Sequence, residues 1–250
     1  MKIQNIAWIV LILLISTYCK NRQPDGAIDS VDEKEIKLIP DSAIWVSVDT
    51  SNSVATWIGS KPNGKHNGII PVKDGKIAYS NDTLFGGEFT LNISELKVMD
   101  MSTEPDRQEK LKNHLLNEDF FEADSFPTAH FEITGIVPYD STLLPQQKSE
   151  FESDFKPASF SSFIVKNPNY WVSGNLTIKS ITKNISFPAN INFNYGFKAE
   201  AKFNIDRTDW NINYHDESGV LDKLKDRFIY NTVNVGIYLE AKTNQTSGKD

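Results

Sequence analysis

Between Val172 and Ile205 the chain writes three alternating strands in succession. Val172, Leu176 and Ile178 share one parity, and Ile185, Phe187, Ala189, Ile191 and Phe193 share the next. Phe197, Ala199, Ala201, Phe203 and Ile205 make the third set, with mostly Asn, Ser, Thr, Lys and Glu in between. Successive side chains of a strand point to opposite faces, so each strand has a dry side and a wet side. A meander of such strands must either pack on a second sheet or curl into a barrel with an apolar interior. Further alternating runs stand at Ile44–Val48, Val54–Ile58, Phe131–Ile133 and Val233–Leu239, and a fifth at Phe85, Gly87, Phe89, Leu91 and Ile93. That gives roughly eight to ten strands, enough to close a barrel around one small ligand. Lys61-Pro62-Asn63-Gly64 reads as a turn, Lys73-Asp74-Gly75 as a hairpin apex, and Gly86-Gly87 as a bulge or bend. One helix is expected from Pro105 to about Asn117, capped by Ser102 or Thr103, with a second helical patch around Leu221, Leu224 and Phe228.

The ends are of a different character. Lys2, the apolar run Ile6–Ile15 and the lone cysteine, Cys19, form a secretory signal too short to span a bilayer. The segment resembles a bacterial lipoprotein box, cleaved before Cys19 and acylated on its sulfur, although Tyr18 and Ser16 depart from that pattern. An ordinary signal peptide is the competing reading. Residues 1–19 are thus expected to be the signal, 20–41 a polar tether, 42–242 one β-barrel domain and 243–250 a flexible tail. The expected location is the bacterial cell envelope, periplasmic or anchored to the outer membrane, with the acylated Cys19 as the membrane contact. Loss of Lys2 with the signal moves the net charge from -7 to -8, which argues against nucleic acid as a partner. With a single cysteine the domain must be stable without an internal disulfide. The oligomeric state is left open, a dimer included.

Residues 140–168 interrupt the strand pattern with three prolines and many polar groups. They are either a lid over a cavity or a surface insertion. The four histidines show no metal-binding spacing, so no metal and no cofactor are expected. Asp206, Arg207 and Asp209 form a compact trio, read either as an Arg–carboxylate clamp at a strand corner or as a head-group clip at a cavity mouth. No Gly-x-Ser-x-Gly elbow supports hydrolysis, and catalysis is not expected.

Four blocks in order resemble the YceI-like, polyisoprenoid-binding family. They are Trp57-Ile58-Gly59 through His66-Asn67-Gly68 to Ile77, then His114–Phe121 with Phe126–Phe131, then Val172–Lys183, and last Asn204–Trp210. The departures are the length of 140–168 and Asn211 where the family has Gly. The resemblance implies an all-β, extended antiparallel lipocalin-like barrel with one or two short helices and a long apolar cavity. It further implies non-catalytic binding of an apolar isoprenoid-like lipid, such as a polyisoprenoid or quinone tail. The inward parity nominates Phe89, Leu91, Phe131, Ile133, Leu176, Ile178, Phe193, Ala199, Ala201, Phe203, Val235 and Ile237 as the cavity wall, the alternative being a solid core. Gly87, Ala199 and Ala201 on that parity favour empty space. Two other functions stand beside the carrier: a filled barrel presenting 140–168 to a protein partner, and an enzyme acting on a lipid.

Overall fold

Alternation along the chain is realised as a closed sheet. A computed structural model of the protein describes residues 26–144, 150–194, 196–219 and 228–241. Its strands are β1 (Ser30–Asp32), β2 (Ile44–Ser47), β3 (Val54–Lys61), β4 (Gly64–Ser80), β5 (Thr83–Asn92), β6 (Lys97–Val98), β7 (Thr128–Pro138), β8 (Tyr170–Ile178), β9 (Ile181–Asn192), β10 (Phe197–Asp206) and β11 (Thr232–Ala241). Eight of them close an antiparallel barrel in the order β9-β10-β11-β3-β4-β5-β7-β8, with β8 pairing back onto β9. β2 and β6 extend the wall by pairing with β4, and β1 pairs with β9. The helices are α1 (Pro105–Leu116) and the single turn α2 (Phe160–Phe163). None in the described residues is long and apolar enough to cross a membrane.

Turn chemistry sets the register, in places differently from the sequence reading. Lys73-Asp74-Gly75 is not a hairpin apex. β4 runs through it for 17 residues, and Lys73 is the extra residue of a bulge between the pairs Val72/Leu91 and Asp74/Thr90. A bulge bends a strand, which a wall this long needs in order to curve. The true apex is Asn81-Asp82, with φ of 48° and 58°, the left-handed geometry that Asn and Asp tolerate in a two-residue hairpin. A second register shift between Ala78 and Tyr79 puts Leu84, rather than Phe85, on the inner face. Lys61 and Gly64 do close a tight turn. Helix α1 begins at Pro105 behind Glu104, and neither Ser102 nor Thr103 caps it. Arg207–Trp210 is a 3-10 turn, ended by Asn211 at φ 57°; Asn enters this region more readily than most residues. The patch at Leu221 and Leu224, like Cys19, lies outside the described residues.

Two segments read as exposed are laid against the outer wall. Residues 26–41, expected to be tether, bury Ile28, add β1 to β9, and exchange hydrogen bonds between Lys34 and Asn175 (2.7 and 3.0 Å). Where it is described, the excursion 140–168 bonds to β10, to β11 and to Tyr230 just before β11. Ala158 bonds Asn204 and Asn234, Phe160 is fully buried, and the Tyr230 hydroxyl donates to the Phe151 carbonyl. Asn175, Asn184, Asn204 and Asn234 point outward and are nevertheless buried beneath these straps. A side-chain amide can satisfy both the donors and the acceptors of a crossing backbone, which a Lys or Glu cannot.

Candidate functional site

The barrel interior is not filled. A hollow of about 110 Å³ occupies its lower part, the end where β10 finishes and β11 begins, and a second of about 40 Å³ lies above it. The larger is walled by Leu91, Leu176, Ile178, Phe203 and Val235 and closed below by Trp57, Ile93, Phe121, Trp210 and Ile212. The smaller is walled by Ile133, Ala189, Ala199 and Ala201 among others, and Phe89, Phe131, Phe187 and Ile237 border both. Eleven of the twelve residues nominated from sequence therefore line one hollow or the other. Phe193 does not. It lies just beyond the end of β9, in ring contact with Tyr79 (5.2 Å) and Phe197 (5.6 Å), where the three form an aromatic plug across the upper end.

Burial patterns carry the signature of this hollow. A solid core would hide inward side chains completely, yet Ile133, Leu176, Ala199, Val233, Val235 and Ile237 point inward and are only partly buried. Alanine on facing strands is the local reason for the upper space: Ala201 pairs with Ala189 on β9 and with Ile237 on β11. Parity alone missed the residues that close the lower end, because Phe121, Trp210 and Ile212 stand on turns. Phe121 is held there by its N–H donating to the Leu115 carbonyl at 3.1 Å, and His114 packs edge-on against Phe120 and Tyr214.

Polar groups near the lumen serve the frame. Arg207 is buried, and its guanidinium donates to the carbonyls of Tyr230, Ile212, Tyr214 and Ile229 at 2.5–3.2 Å. Burial lowers its pKa from the ordinary value, while Asp216, Asp206 and Glu217 act in the opposite sense. Asp206 accepts from the Thr208 N–H and Asp209 accepts from the Ser30 hydroxyl at 2.7 Å, while the hydrogen bonds of the Arg207 guanidinium go to the four carbonyls. These contacts pin the lower rim and the first strap. Trp57 lies over Gly68, where a Cβ would fall 2.5 Å from the indole, and its buried Nε1–H has no partner among the described residues. His66 pairs with Asp100 at 2.6 Å and His114 with Asp119 at 2.9 Å. On the outer wall Glu88, His130 and Glu132 bring three ligand atoms within 4.8 Å of one another, a grouping that linear spacing hid because it crosses β5 and β7. Lys76 Nζ, 3.0 Å from Glu88, already supplies a positive charge there.

A family model described as the YceI-like domain matches residues 46–241. Among solved structures, Burkholderia cenocepacia BcnA is 15% identical, with a TM-score of 0.52 over 77% of this chain and 98% of its own. A polyisoprenoid binding domain from Saccharophagus degradans, implicated in plant cell wall breakdown, is 14% identical, with a TM-score of 0.47 over 80% and 98% of the two chains. The Campylobacter jejuni YCEI protein is 17% identical, with a TM-score of 0.43 over 69% and 84%. No curated protein sequence matches the chain.

Proposed function

We propose that this chain, which belongs to the YceI-like domain family, binds and carries an apolar isoprenoid-like lipid in its barrel, a polyisoprenoid or a quinone tail, without transforming it. The observation that carries the proposal is the hollow itself: inward apolar side chains left partly uncovered around about 110 Å³ of space. Empty apolar space inside a protein is costly, because its lining forgoes both dispersion contacts and full removal from water. A hydrocarbon chain restores both, at about 25 cal/mol for each Å² it removes from water, before ordering costs. Among the described residues, Thr56 and Arg207 are the only polar or charged residues in the lining apart from the indoles of Trp57 and Trp210; Arg207 is engaged by four carbonyls and Trp210 by the Leu176 carbonyl. That supports binding over catalysis.

The same proposal places the protein in a bacterial envelope, exported and held by an acylated Cys19. Gly26 accepts from Asn204 at 3.0 Å on the outer wall near the lower rim. The seven steps of chain from Cys19 to Gly26 span at most about 25 Å. Acylation would therefore keep the wider end of the lumen close to the bilayer from which a lipid is drawn. The filled-barrel reading is weaker, since the lumen is hollow and much of the 140–168 segment is engaged with β10 and β11. Native mass spectrometry and organic extraction of the purified protein test the carrier reading. A stoichiometric apolar lipid is expected. Protein that carries none and takes up no added prenol would refute it.

A further inference from the structure

Two hollows in one barrel need something between them. Here it is a chain of ring contacts: Phe89 to Phe131 at 5.3 Å, Phe131 to Phe187 at 5.6 Å, and Phe187 stacked on Phe203 at 4.2 Å and 8°. The rings lie across the lumen because neighbouring inward positions carry no side chain. A Cβ on Gly174 would fall 2.1 Å from Phe131 Cζ, and one on Gly75 would fall 2.8 Å from Phe89 Cβ. Above the band, Gly87, Ala189, Ala199 and Ala201 leave the space of about 40 Å³, which ends at the plug of Tyr79, Phe193 and Phe197.

Resting on the carrier reading above, we infer that this phenylalanine band and the alanine-walled chamber behind it measure the length of the bound chain. A short apolar chain is accommodated below the band. A longer one advances only by turning the rings to another staggered rotamer, and it then occupies the upper chamber until the plug stops it. The arrangement takes a single narrow chain, straight or methyl-branched, and rejects fused ring systems, which cannot pass between the rings. Selectivity thus lies at the blind end, far from any polar head group.

The test uses the purified protein with geraniol, geranylgeraniol and solanesol as probes. Binding is followed by native mass spectrometry and by the fluorescence of Trp57 and Trp210, both of which border the lower hollow. Ala201→Phe fills the upper chamber. It should bind geraniol as the wild type does and bind geranylgeraniol about tenfold more weakly, the effect of roughly two methylenes left in water. Phe203→Leu opens the band and should speed geranylgeraniol uptake more than geraniol uptake. Thermal unfolding checks that each variant is folded, and Ala199→Leu replaces Ala201→Phe if that variant is not. Equal weakening of both prenols, or no change in either, overturns the length inference while leaving the carrier reading intact. Wild-type protein that binds none of the three overturns the carrier reading, and the inference with it.

Discussion

Along β11 the two faces of one strand are covered by different things. Asn234, facing outward, is 1% exposed, whereas its inward neighbours Val233 and Val235 are only partly buried. A solitary half-buried sheet would show the opposite. The polar face has gained a protein cover, the strap at Ala158, and the apolar face fronts a hollow. Alternation says which side chains share a face. What lies against that face depends on segments far away in the chain.

The contrast can be broken most severely where the inner wall is tight. Gly174→Ala would set a Cβ 2.1 Å from Phe131 Cζ and 2.8 Å from the Glu132 carbonyl, and Phe131 is braced by Phe89 and Phe187. We expect a loss of about 3 kcal/mol or more in chemical denaturation, at the upper end for overpacking. An unchanged midpoint would mean that the band yields easily. The outer wall comes next. Asn234→Ala strips partners from the Ala158 N–H and carbonyl, at part-buried bonds, and from the buried Asn204 Oδ1. Its expected cost is about 2–4 kcal/mol, with protease cleavage appearing within 150–165 as the strap loosens. A variant with wild-type stability and no new cleavage would show that the strap is held by something else. Val235→Ala, one residue along but facing the hollow, should cost only about 1 kcal/mol, since a side chain already bordering space leaves little new void. A larger loss would argue that the lumen is better packed than its shape indicates.

These three positions also show how much of the molecule was legible in its sequence. The inner face was readable almost residue by residue, because inward parity survives wherever a strand stays regular. It failed at Phe85, where a bulge reset it, and at Phe193, where β9 had already ended. The lower closure by Phe121, Trp210 and Ile212 was not readable, since turns carry no periodicity and their placement depends on tertiary contacts. The straps were missed for another reason: residues 26–41 and 140–168 have the composition of solvated chain. A trace of them did exist in the outward asparagines at 175, 184, 204 and 234. Asn is a poor strand former, so four of them within strands ask for a reason beyond solubility. The family blocks mattered most where pattern was mute: parity alone permits a solid core, and the resemblance implied a cavity.

The smallest expected effect separates the faces by charge. On the outside, Asp100 links the segment before α1 to β4 through the His66 ring and the Asn67 N–H. Burial alone would raise its carboxyl pKa, but those hydrogen bonds and the His66 charge hold it below the ordinary value. A carboxylate depressed in the folded state contributes stability that is fully present above its unfolded pKa, near 4, and is lost as pH falls through the lower folded value. Asp100 should therefore add less than about 1 kcal/mol at neutral pH. Asp100→Asn should remove that contribution and flatten the fall in stability below about pH 4. Among the described residues that line the lower hollow, by contrast, the only ionisable side chain is Arg207, which stays charged. Prenol affinity should then be the same at about pH 5 and pH 8, a range in which only histidines among the side chains ordinarily titrate. Affinity that tracked pH would mean a titrating group reaches the ligand, and the division between a charged exterior and an uncharged, oily passage would have to be redrawn.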